Sequence, residues 1–186
     1  MGDSEIARAI WTVGHSTHPL PRFVHLLERG AIKRLVDVRT VPRSRRMPHF
    51  SSESLARELP EHGIGYEHIG ALGGFRRPRR HSPNSGWRHE GFRGYADHME
   101  TEEFQRALER LERIGSDART AVMCAEAQWE RCHRRLLSDA LLVRGWRVIH
   151  LRADGRTEQH ALTPFAVVDD GSATYPPEQG SFDIEG

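Results

Sequence analysis

Five short apolar or β-branched runs recur along the chain with helix-patterned stretches between them, and this alternation confines the fold to an α/β sheet. The runs are residues 10–14, 35–39, 64–69, 120–124 and 146–151. Thr120-Ala121-Val122-Met123-Cys124 has no charged residue, as a central parallel strand covered on both faces requires. Between the first two runs, Leu20, Phe23, Val24 and Leu27 keep helical spacing and Gly30 stops the helix. Ser51 and Ser52 offer N-caps for a second helix using Leu55 and Leu59, shortened by Pro60 and ended near Gly63. Residues 92–99 and 101–114 read as two more helices, the latter with Glu102 and Glu103 in its favourable first turn. A last helix is expected over 130–143, with Leu136, Leu137, Ala140 and Leu141 inward and Gly145 as its stop. The expected fold is a doubly wound, mainly parallel sheet of about five strands in one domain, residues 1–168. An acidic, flexible tail, 169–186, follows.

A chain of 186 residues has room for one domain of ordinary size. Hydrophobic residues make up 37%, enough with 17 glycines to predict a true core. No apolar run is long enough to span a bilayer, and residues 1–6 carry no basic start leading into an apolar stretch. Two cysteines suit a reducing compartment, so the expected address is the cytoplasm. All basic residues but Lys33 are arginine, which fits GC-rich coding bias better than selection for phosphate. Even so, Arg76, Arg77, Arg79, Arg80, Arg88 and Arg93 gather in one unpatterned loop, 70–91 and just beyond, facing only Glu90. Such a loop attracts anions whatever its origin. With Phe75, Trp87, Phe92 and Tyr95 it offers charge for phosphates and rings for bases, or else packs as a lid.

In a doubly wound sheet, sites form beyond the carboxyl ends of the strands. Those ends carry Gly14, His15 and Ser16, then Asp37, Arg39 and Ser44, then His68 with Gly73 and Gly74. The fourth delivers Cys124 and Glu126, then Cys132, His133 and Arg134; the fifth offers His150, Arg152 and Asp154. So dense a set of reactive groups exceeds what loop polarity predicts.

The motifs Thr12-Val13-Gly14-His15-Ser16, Asp37-Val38-Arg39, Leu72-Gly73-Gly74, Cys124-Ala125-Glu126 and Cys132-His133-Arg134 appear in order over most of the chain. Together they resemble the domain-of-unknown-function family numbered 488. The resemblance implies a compact α/β domain and the positions of the motifs, and it supplies no reaction.

Three functions are expected from the residues. The first is an enzyme acting on an anionic substrate, a nucleotide or nucleic acid among the candidates. Here Cys132 is nucleophile or redox centre, His15 or His133 carries protons, and Arg39 and Arg134 clamp the anion. A first-turn position on the helix and two neighbouring cations would favour the Cys132 thiolate, although His133 and Arg134 point about 100° apart if all three are helical. Read structurally, Cys132 is equally a small core residue; for Arg134 the nearby Glu126 tips the reading towards function. Cys124 reads first as an inert core thiol and second as the redox partner of Cys132. The amides of His15 and Ser16 could face an anion, and Asp37 with Arg39 forms an ion pair or serves as a base. Candidate substrate contacts are Gly14, Ser44, His68, Gly73, Gly74, Arg76, Arg77, Trp87 and Tyr95. The second function is metal binding, with Cys124, Cys132, His133 and His15 or His150 as zinc- or iron-type ligands; the spacing is not a standard zinc pattern, and no cofactor is expected. The third is a non-catalytic nucleic-acid-binding module. Cysteine-phosphatase chemistry is disfavoured, because the positions needing arginine hold Glu130 and Ser138. No phosphate-loop, dinucleotide or serine-hydrolase motif is present.

Overall fold

The computed structural model describes residues 8–178. Six strands form one sheet: β1 (Ala9–Gly14), β2 (Arg34–Asp37), β3 (Gly65–His68), β4 (Thr120–Cys124), β5 (Arg147–Leu151) and β6 (Thr157–Gln159). Their order is β3-β2-β4-β1-β5-β6, parallel except for the antiparallel β6 at one edge. Helices α1 (Leu20–Arg29) and α2 (Ser52–Glu58) cover one face; α3 (Glu90–Met99), α4 (Glu102–Asp117) and α5 (Arg134–Val143) cover the other. The fold is therefore the expected doubly wound α/β domain, with one strand more.

Alternation along β1 shows why both faces fill. Ile10 joins the core under α4, while Trp11 and Val13 join Phe23, Leu27 and Leu55 on the other side. Local signals set the helix ends. Ser51 accepts the Ser54 N–H at the start of α2, and Thr101 accepts the Phe104 N–H at the start of α4. The turn after α2 ends at Gly63, whose φ of +69° suits glycine.

Two expectations change. The last helix does not begin near Glu130: a short 3₁₀ turn spans Trp129–Arg131, and α5 starts only at Arg134. Cys132 and His133 thus precede the helix instead of riding on its first turn. The tail also begins later than residue 169. Strands β7 (Val167–Asp169) and β8 (Ser172–Thr174) form a hairpin that returns Ala173 and Tyr175 to the core beside α5. Residues 179–186 lie outside the described part of the chain. Among the described residues no helix is long and apolar enough to cross a membrane.

Candidate active site

The carboxyl ends of β1, β2 and β4 meet the head of α5. The β1–β4 ladder runs past both strands: His15 N–H donates to the Cys124 carbonyl and Ser16 N–H to that of Ala125. These two amides, expected to face an anion, are therefore spent inside the sheet. The chain after β4 then folds back across Gly14, where an added Cβ would lie 1.9 Å from the Glu126 carbonyl oxygen. Glycine is what lets that carbonyl pass.

It passes to reach Arg134. This guanidinium is 1% exposed and donates to the carbonyl of Glu126 and, at 3.5 Å, to Thr12 Oγ1. The Glu126 carboxylate turns away and accepts from Gln128 N–H, so Glu126 meets Arg134 through its main chain. Arg134 also lies beside both sulfurs; burial works against its charge, but the two cysteines more than compensate and raise its pKa.

Cys124 at the end of β4 and Cys132 before α5 are both buried free thiols, with their sulfurs 2.7 Å apart. Burial pushes the Cys124 thiol up, and so does its hydrogen bond with Cys132. Burial would push Cys132 up as well, but the hydrogen bond from Cys124, then His133 and Arg134, hold it well below the ordinary thiol range. The Arg134 main-chain N–H adds a donor at 3.5 Å from Cys132 Sγ. The two directions are opposed, and of the pair it is Cys132 whose surroundings favour the thiolate.

His133 sits beside it. Its Nε2–H donates to the Val38 carbonyl at 3.2 Å, leaving Nδ1 to face Cys132 Sγ at 3.5 Å. Because both residues precede the helix, the 100° divergence expected of neighbours on a helix does not apply. Tyr95 flanks the ring at 5.2 Å, and Gly74 lies so close that a Cβ there would stand 2.9 Å from Nδ1. A thiol sulfur, an imidazole and a carbonyl that orients it thus follow one another, the order that base activation of a nucleophile requires.

The other candidates support this centre from outside it. Arg39 grips Asp37 through Nε (2.9 Å) and Nη2 (2.6 Å), and donates to the Phe50 carbonyl. Tyr66 donates its hydroxyl to the same carboxylate at 2.7 Å. Asp37 and Arg39 form a closed buried pair, so Arg39 is not free to clamp an anion. His15 donates Nδ1–H to the Ser16 carbonyl and turns Nε2 to Arg39; burial, aided by the Arg39 charge, lowers its pKa to about 4. It is a neutral acceptor within the core rather than a proton carrier. His68 donates to the Arg39 carbonyl, Ser44 accepts from Met47 N–H in a turn, and Gly73 packs against the Thr40 main chain.

Of the arginine loop, Arg76 binds the carbonyls of Gly70 and Gly73, and Arg79 pairs with Glu100 at 2.5 Å. Arg77, Arg80 and Arg88 are exposed. Trp87, expected as a stacking ring for bases, is buried against Phe92 and Phe165, and Tyr95 is fully buried with its hydroxyl on the Leu72 carbonyl. The ring that does stand in solvent is Phe75, 97% exposed and held at φ +57°.

His15 and His150, the expected remote metal ligands, are both committed to other partners. Among the described residues no three His, Cys, Asp or Glu side chains are grouped to hold a metal ion. His160 and Asp139 escaped the sequence reading, and Thr12 entered it only as a motif residue without a role; the three extend the buried polar set away from Arg134. An acid in the apolar run Leu136–Leu142 was the one visible signal.

No curated protein and no solved structure matches the chain. The family model described as "Domain of unknown function DUF488" matches residues 19–141, a span that holds Asp37, Arg39, Gly73, Gly74, Cys124 and the Cys132-His133-Arg134 motif. The chain belongs to that family.

Proposed function

We propose that this protein is an enzyme that acts on an anionic substrate through the Cys132 thiolate. His133 takes the thiol proton at Nδ1, Cys124 donates a hydrogen bond to the sulfur, and buried Arg134 supplies the fixed positive charge. The observation that carries this reading is the line from Cys132 Sγ through the His133 ring to the Val38 carbonyl. The sign of the substrate's charge follows from the exposed arginines Arg77, Arg80 and Arg88 nearby in sequence to Gly74.

The test is iodoacetamide alkylation across pH, with peptide mapping to separate the two thiols. Cys132 should react with a midpoint well below the value of about 8.5 for a free thiol, and Cys124 should lag far behind. A Cys132 midpoint near that of a free thiol, or a native protein in which it never reacts, would overturn the proposal.

One observation favours a second reading, a nucleic-acid-binding surface without catalysis. The segments 41–46 and 75–81 together hold seven arginines and no acid, and they are tied at their roots where Thr40 Oγ1 donates to the Gly74 carbonyl. Each begins with an exposed apolar residue, Val41 and Phe75. On this reading a Phe75→Ala variant weakens binding of a single-stranded oligonucleotide by about 1–3 kcal/mol, measured by fluorescence anisotropy at low salt. Wild-type protein that binds no oligonucleotide there would remove the reading.

A further inference from the structure

Behind Arg134 runs an unbroken chain of buried polar side chains that the thiol chemistry does not itself use. Thr12 Oγ1 lies 2.7 Å from His150 Nδ1, His150 Nε2 lies 3.0 Å from His160 Nδ1, and His160 Nε2 lies 2.8 Å from Asp139 Oδ1. Asp139 accepts two further hydrogen bonds, from Thr163 N–H at 3.0 Å and the Tyr175 hydroxyl at 2.8 Å. Every member is at most 3% exposed. Trp129 stacks on His150 at 4.0 Å and seals the middle of the chain.

Donor and acceptor counting gives the chain a direction. The Asp139 carboxylate only accepts, so His160 donates from Nε2 and accepts at Nδ1. His150 then donates from Nε2 and accepts at Nδ1, and Thr12 donates its hydroxyl to His150. This leaves the Thr12 oxygen lone pairs to accept from Arg134 Nη1. In the opposite direction the Thr12 hydroxyl hydrogen would have no acceptor among the described residues. Burial, reinforced by His160 and Arg134, keeps His150 neutral, with its pKa lowered to about 2.

We infer that Thr12, His150, His160 and Asp139 are positioning residues that set the reactivity of Cys132 by fixing Arg134 beside its sulfur. The inference rests on the thiol reading above. Among the described residues Arg134 Nε has no partner, so the guanidinium is held by Thr12 and the carbonyls of the 126–127 turn. Losing the Thr12 acceptor leaves Nη1 unpaired as well, and a buried unpaired donor is a strong cause for the side chain to shift. Cys132 then loses one of the two cations that favour its thiolate. The other groups around it, Cys124 on β4, Tyr95 on α3 and His133 before α5, are untouched by the change.

Thr12→Val keeps the shape and removes the hydroxyl; Thr12→Ser keeps the hydroxyl. In the alkylation profile, Thr12→Val should raise the Cys132 midpoint by about one pH unit. That is a loss of about tenfold in rate on the acid side, with the limiting rate at high pH unchanged. Thr12→Ser should restore the wild-type midpoint. Mere loosening of the core would instead speed alkylation of Cys124 and Cys132 together at every pH, and that result overturns the inference. So does a Thr12→Val midpoint equal to a depressed wild-type one, which leaves the thiol reading standing. A wild-type Cys132 midpoint near that of a free thiol ends both. If Thr12→Val does not fold, His160→Asn cuts the chain two links further out and is read in the same way.

Discussion

Lowering the pH from 7 to about 4.5 is expected to cost this fold about 5 kcal/mol through two buried histidines alone. His15 and His150 are held neutral, burial being the first cause in each, with pKa values lowered to about 4 and about 2. In the unfolded chain each takes a proton near the ordinary value of 6.5. Below that pH the unfolded state therefore binds more protons, and each histidine removes about 1.4 kcal/mol of stability per pH unit. The loss begins near 6.5 and continues down to about 4 for His15 and about 2 for His150. His18 and His98, also lowered chiefly by burial, act in the same direction. Since a domain commonly has about 5–15 kcal/mol in all, unfolding in mild acid follows. Urea titrations at the two pH values measure it. Equal midpoints would show that neither histidine is kept neutral.

Trp87→Ala is expected to destabilise the protein by about 3–5 kcal/mol, a large share of the total. The indole meets Phe165 at 4.8 Å and Phe92 at 5.0 Å edge-on, and Tyr175 at 5.3 Å, with the Arg135 guanidinium 4.9 Å above it. It is the joint between the arginine loop, α3 and the returning hairpin. Its N–H has no partner among the described residues, so Trp87→Phe should cost much less. Arg77→Ser with Arg80→Ser, both exposed, should shift stability by under about 0.5 kcal/mol. Thermal unfolding of the three variants gives the ordering, and an alanine variant as stable as the serine pair would refute the packing role.

Periodicity carried the fold because the strands and helices here are local patterns. Leu20, Phe23, Val24 and Leu27 announce α1, and the uncharged run at 120–124 announces a strand covered on both sides. The Cys132-His133-Arg134 motif was legible as chemistry, yet its geometry was not. Whether His133 meets the sulfur depends on α5 starting at Arg134 and not four residues earlier, a boundary that no cap signal marks. The roles of Thr12 and His160 were out of reach for a different reason. Thr12 is the ladder partner of His150 only because β1 lies beside β5, and strand order is not written in any local pattern. Trp87 was left between stacking on bases and packing as a lid because its partners Phe165 and Tyr175 flank a hairpin some eighty residues later. The contact is invisible until the chain returns.

The place of β1 in the sheet separates two kinds of boundary. The family model matches residues 19–141, whereas the ladder runs β3-β2-β4-β1-β5-β6. A fragment trimmed to the matched span would keep three neighbouring strands and discard the three beyond β4 on its other side, β1, β5 and β6. The bare edge of β4 would then offer its main-chain groups to any other strand, an invitation to self-association. It would also lack the Thr12 and His150 side chains that stand behind Arg134. The family match ends at residue 141; the sheet does not, and the folded unit is longer at both ends than the matched span.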